Sequence, residues 1–119
     1  MAKFNDMQAV LDFVVPKLVK QGHRSVTPGT DNCQYNGPNG THCAIGWCAN
    51  FSTTGGISTL YTYEFTLMEV TFGDIDPDFL RELQDAHDNA ASDFVVQFLS
   101  GIASICVHYG LTFDQRWRA

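Results

Sequence analysis

Positive charge is scarce in this chain. Seven lysines and arginines stand against thirteen aspartates and glutamates, a formal −6 over 119 residues. Sequence-independent binding to DNA or RNA needs a cationic surface that releases counterions, so direct nucleic-acid binding is set aside. Long apolar runs are also missing: none approaches the roughly 18 residues of a membrane span. The N-terminal MAKFNDMQAVLDF has no apolar core flanked by basic residues, so no signal peptide is expected. These absences imply no membrane and a cytoplasmic location, which is the host cytoplasm if the chain is phage-encoded. In such a compartment thiols stay reduced, and four cysteines suggest packing, metal or chemistry rather than a disulfide framework. There is no C-x-x-C knuckle, and the glycines of GPNGTHCAIG have no lysine placed to reach a phosphate. No linker, repeat or low-complexity segment appears, so residues 1–119 are expected to form a single domain, long enough to bury about two thirds of its unfolded surface.

What is present first reads as helices. Residues 5–21 carry Met7, Val10, Leu11, Val14, Leu18 and Val19 at helical spacing, with Asn5 and Gln8 as a capping pair and Gly22 as a stop. Pro16 inside this run predicts a kink or break. Asp76-Pro77 is a helix start, and Phe79, Leu80, Leu83, Ala86 and His87 share one face of the helix that follows. A last helix from Ser92 or Asp93 points Phe94, Phe98, Ile102, Ile105 and Tyr109 inward and ends near Gly110. LYTYEFTL, residues 60–67, alternates Tyr61, Tyr63, Phe65 and Leu67 with polar positions and predicts a strand.

Three of the four cysteines fall in CQYNGPNGTHCAIGWC, residues 33–48. Gly37-Pro38-Asn39-Gly40 suits a hairpin turn, and the stretch 33–46 predicts a β-hairpin. In a three-residue loop register Cys33, Tyr35, Cys43 and Ile45 share one apolar face, with Gln34, Asn36, His42 and Ala44 on the other. Cys33 and Cys43 are then diagonal neighbours, too far apart for a disulfide, and act as core thiols. A five-residue loop would instead set Cys33 opposite Cys43. Zinc held by Cys33, Cys43 and Cys48 with a distant histidine stays open as a second reading. No other cofactor is implied.

The pattern C-x-Y-x-G-P-x-G-x-x-C-A-x-G is carried here by Cys33, Tyr35, Gly37, Pro38, Gly40, Cys43, Ala44 and Gly46. It is followed by L-Q-x-x-H-D at Leu83, Gln84, His87 and Asp88. Together these resemble a group of small proteins of tailed phages and prophages, and Gln21, Gly22, Arg24 and Ser25 fit the same pattern. The resemblance implies a phage-type origin and brings no activity with it.

Between Glu64 and Asp93 nine acidic residues and one basic residue, Arg81, leave a local charge of −8. Asp78, Glu82, Asp85 and Asp88 fall on the polar side of their helix and form a candidate surface for a basic partner. His87 and Asp88 invite an acid–base reading. Sequence neighbours on a helix point about 100° apart, so a packed histidine is expected instead. A Cys–His nucleophile built from Cys43 or Cys48 with His87 or His108 has no local signature. The sequence therefore predicts an α+β domain, with about three main helices on a small antiparallel sheet built around the hairpin. It is expected to act by binding, as a phage-type accessory protein that inhibits or modulates a host or phage protein rather than as an enzyme. A zinc- or thiol-dependent enzyme or module and a small-molecule or nucleotide binder remain the alternatives.

Overall fold

The computed structural model describes residues 2–25, 35, 41–52, 56–90 and 93–118. Among them the fold is helical: α1 (Met7–Gln21), α2 (Ile57–Tyr63), α3 (Phe65–Phe72), α4 (Pro77–Asp88) and α5 (Phe94–Tyr109), with short 3₁₀ turns at Ile45–Trp47 and Gln115–Arg118. No strand occurs among the described residues, where the nearest approach to β pairing is a single bridging residue, His42. The expected α+β architecture and its antiparallel sheet are thereby corrected.

Two local misreadings account for the correction. Residues 60–67 are not a strand but the end of α2 and the start of α3, parted at Glu64 by a break in the backbone (φ −132°, ψ 42°). Helical spacing there buries Ile57 and Leu60, then Met68 and Phe72, while Tyr63 is 75% exposed and Phe65 54% exposed. The alternating aromatics were thus partly solvent-facing, so their period of two reported no buried sheet face. In the second case the hairpin's first arm and turn (33, 34 and 36–40) lie outside the described residues. Its second arm is not extended, because Ala44 is right-handed (φ −55°, ψ −52°) and leads into the turn Ile45–Trp47. Ala44, Ile45, Gly46 and Cys48 are all buried, whereas a strand would have turned Ala44 away from Cys43 and Ile45.

The helix ends follow their capping chemistry. α1 is capped by Asp6, one residue later than expected, whose carboxylate accepts from Ala9 N at 2.8 Å. Gln8 instead reaches the C-terminal segment, accepting from Thr112 N and donating to Thr112 O. Gly22 ends α1 with a left-handed φ of 76°. Pro16 does not break the helix; it sits at an exposed position within it. Asp76 caps α4 by accepting from Asp78 N, with Pro77 in the first turn.

The core is continuous. α4 packs along α5, Phe79 against Tyr109 and His87 against Phe94, with Phe98 and Ile102 of α5 fully buried, and through Gln84 it meets the 45–47 turn. α1 lies on that same turn and on the C-terminal turn, where Trp117 is buried. The N-terminal residues run alongside the end of α3: Lys3 N and Phe4 N donate to Val70 O and Thr71 O, and Phe4 stacks on Phe72. No helix among the described residues is long and apolar enough to cross a membrane.

Candidate functional site

A polar network is built on His87, which has no exposed surface. Helical spacing puts Gln84 and Asp88 one turn apart, and Gln84 Nε2 donates to Asp88 Oδ1 at 2.9 Å. Gln84 Oε1 accepts from Ile45 N at 3.2 Å, tying α4 to the 45–47 turn. Ser25 N donates to His87 Nε2 at 3.2 Å, across 62 residues of sequence. An N–H can only donate, so Nε2 is the acceptor and Nδ1 carries the ring proton. That proton lies on Asp88 Oδ1 at 2.8 Å. The two neighbours therefore do meet, contrary to the 100° argument, because the carboxylate swings back along the helix to the ring. Arg24 adds a bond to the Asp88 carbonyl, and Thr41 Oγ1 donates to Ser25 Oγ.

This pair has the outline of a base held by a carboxylate, yet its chemistry is spent. The lone pair that would take a proton from a nucleophile is already occupied by a backbone N–H. The ring edge also packs against Phe94. His87 and Asp88 act as a pin that fixes the loop after α1 to α4.

The cysteines are placed to match. Cys43, Cys48 and Cys106 are free and buried. Burial pushes the thiols of Cys43 and Cys48 up to about 12, in Cys43 against hydrogen bonds from Gly46, Gln84 and Ile45 that favour thiolate. Such thiols are inert at neutral pH. Tyr35 is raised in the same direction, by burial first and then by Cys43 and the Asp88 and Glu64 carboxylates. Cys33 lies outside the described residues. Among the described residues no group of three His, Cys, Asp or Glu side chains is placed to hold a metal.

The four acidic candidates on α4 have unequal roles. Asp78 pairs with Arg81 at 2.6 Å on the surface. Glu82 bridges to α5, accepting from the Tyr109 hydroxyl and from His108 Nδ1. Asp88 belongs to the central pin. Asp85 is exposed and makes no side-chain hydrogen bond or ion pair among the described residues; partial burial, then Asp88 and Glu82, raise its carboxyl despite Arg81. Two of these residues line a groove of about 310 Å³ between α4 and α5, the site of most interest on the surface. The partners Ser25, His108 and Tyr109 were invisible in the sequence because they are brought in from 26 to 62 residues away. Only the Gln84–Asp88 spacing could have been read in advance.

Of the aromatics outside the long helices, Phe51 and Trp117 are core, Trp47 and Tyr61 are half-buried, and Tyr63 is exposed. A second cleft of about 510 Å³ lies between the N-terminal residues and the α3–α4 connection, floored by Phe4, Phe72 and Ile75 and edged by Asp6, Asp74 and Asp76.

Comparison of the chain with protein-family models, with curated proteins and with solved structures finds no match.

Proposed function

We propose that the chain works by binding another protein through its acidic α4 side and not by catalysing a reaction. The observation that carries this reading is the state of His87: both ring nitrogens are committed inside the fold, to Ser25 N and to Asp88. With the nearby thiols buried and held protonated, the described residues supply no activated nucleophile or free base at the one place where sequence and fold concentrate such groups. The acidic side is what remains available to a partner, and a charge of −8 between Glu64 and Asp93 suits a basic one.

The test is affinity capture with immobilised wild-type chain against a charge-reversed form carrying Asp78→Lys and Asp85→Lys. Partner capture should be lost in the reversed form at moderate salt. Equal capture by both forms removes α4 from the binding surface.

One observation favours a second reading, that of a small-ligand binder. The 510 Å³ cleft has an apolar floor and three carboxylates at its edge, features that fit a compact cationic amphiphile. A thermal-shift screen of aliphatic and aromatic amines tests it, and a set in which none raises the melting temperature dismisses it.

A further inference from the structure

Helix α5 is unusual for a helix at a surface. Its sixteen residues, FVVQFLSGIASICVHY, include no Asp, Glu, Lys or Arg. One side is core, with Phe94, Phe98, Ile102 and Ile105 buried against the rest of the fold. The opposite side is uncharged and mixed: Val96 is 63% exposed and Val107 85% exposed, among exposed Gln97, Ser100, Ser104 and His108. Val96, Ser100, Ala103 and Val107 follow one another at intervals of four, three and four, the spacing that presents one seam to a neighbouring helix. That seam runs about 16 Å, or three turns.

Beside the seam lies the α4–α5 groove. It exists because the two helices meet through small side chains: a Cβ added at Gly101 would stand 2.9 Å from the Ala86 Cβ. The α4 edge of this groove carries Glu82 and Asp85, and its lining contains no Lys or Arg among the described residues. Glu82 is held there by Tyr109 and His108, so its charge is fixed along the edge. Asp85 makes no ion pair among the described residues; partial burial first, and then the Asp88 and Glu82 carboxylates, raise its carboxyl against the opposing pull of Arg81. The surface thus has one acidic edge and one apolar edge.

We infer that this surface is the docking site for a basic amphipathic helix of another protein, its apolar side against Val96 and Val107 and its Lys or Arg side against Asp85 and Glu82. The inference rests on the binding function proposed above and gives the partner a structural class. A second copy of the chain fits poorly. Most of its own cations are engaged: Lys3 and Lys17 over the Phe13 ring, Arg81 with Asp78, Arg116 with Asp114, and Arg118 over Phe113. Self-pairing would also bring the acidic edge of one copy toward that of the next, in a chain of net charge −6.

The probe is a three-turn synthetic Leu/Lys peptide with leucines at helical spacing, titrated by fluorescence anisotropy. Two controls accompany it, a Leu/Glu peptide of the same pattern and a Leu/Lys peptide of the same composition in scrambled order. Saturable binding of the first peptide alone is expected, weakening as salt rises. Val107→Glu and Asp85→Lys, both at exposed positions, should each weaken it at least about tenfold, a difference of about 1.4 kcal/mol. Glu69→Lys, an equal charge change on α3, should change it less than about twofold. The inference is overturned if the peptide does not bind, if the scrambled peptide binds as well, or if Glu69→Lys matters as much as Asp85→Lys. It is also overturned if the chain sediments as a dimer that Val107→Glu divides, which would place a second copy on this face. A natural partner whose capture survives Val107→Glu but not the double reversal of Asp78 and Asp85 leaves the binding function standing and moves the docking site off the groove.

Discussion

Ser25 and His87 are joined by a hydrogen bond from a backbone N–H to Nε2, 62 residues apart and wholly buried. This bond fixes the tautomer of the ring, turns Nδ1–H onto Asp88, and ties the loop after α1 to α4. It also occupies the ring lone pair through which His87 would otherwise accept a proton.

Removing the ring is the direct test of that pin. His87→Ala leaves Ser25 N–H unpaired in a dry site and opens a cavity beside Phe94, so a loss of about 3 kcal/mol is expected in urea denaturation. Asp88→Asn keeps an oxygen that accepts from Nδ1–H and should cost about 1 kcal/mol. A His87→Ala loss no larger than that of Asp88→Asn contradicts the structural role.

Gly46 lies against the backbone of Tyr35, and a Cβ added there would stand 1.9 Å from the Tyr35 carbonyl oxygen. Backbone cannot swing aside as a side chain does, so Gly46→Ala should cost at least about 3 kcal/mol or prevent folding. Gly56→Ala is the matched control: nothing lies within 4 Å of its added Cβ, and a change within about half a kcal/mol is expected.

The buried thiols make alkaline pH destabilising. Folding raises Cys43 and Cys48 from an ordinary 9.0 to about 12. Below pH 9 both folded and unfolded chains hold these protons, and the stability is complete. Between 9 and 12 only the unfolded chain releases them, so stability falls as pH rises through that window. Denaturation midpoints at pH 8 and pH 10.5 should differ in this direction, and by less in Cys43→Ala, which removes one of the two groups. Peptide mapping after iodoacetamide at pH 8 should find Cys43 and Cys48 unmodified in the native protein and modified in urea.

Pro16 offers a gain. It lies at an exposed position of α1, where it supplies no N–H for the preceding turn. Pro16→Ala restores that bond and should stabilise the protein by about 2 kcal/mol. An unchanged or lower melting temperature would mean that α1 is shaped around the proline.

The helical elements were legible in particular residues. The Asp76-Pro77 start, the stops at Gly22 and Gly110, and the inward faces of α4 and α5 all depend on spacing and capping within a dozen residues. The strand expected at 60–67 failed for a physical reason: alternation shows which side chains are apolar, not which are buried, and Tyr63 and Phe65 are exposed. The 41–46 arm failed because Gly46 lets the chain turn tightly beneath Tyr35, a contact made across eleven residues that no short pattern contains.

By itself, the sequence determined a negatively charged chain with no broad cationic surface, strong helix boundaries, and an acidic side on α4, since these follow from residue type and local periodicity. Tertiary structure alone decided which of those groups are spent. Burial and distant backbone donors settle whether His87 is a base or a pin, whether a cysteine is a nucleophile or filling, and which carboxylate faces an uncharged helix across a groove. These are matters of solvent exclusion and long-range approach, and a linear chain carries neither until it has folded.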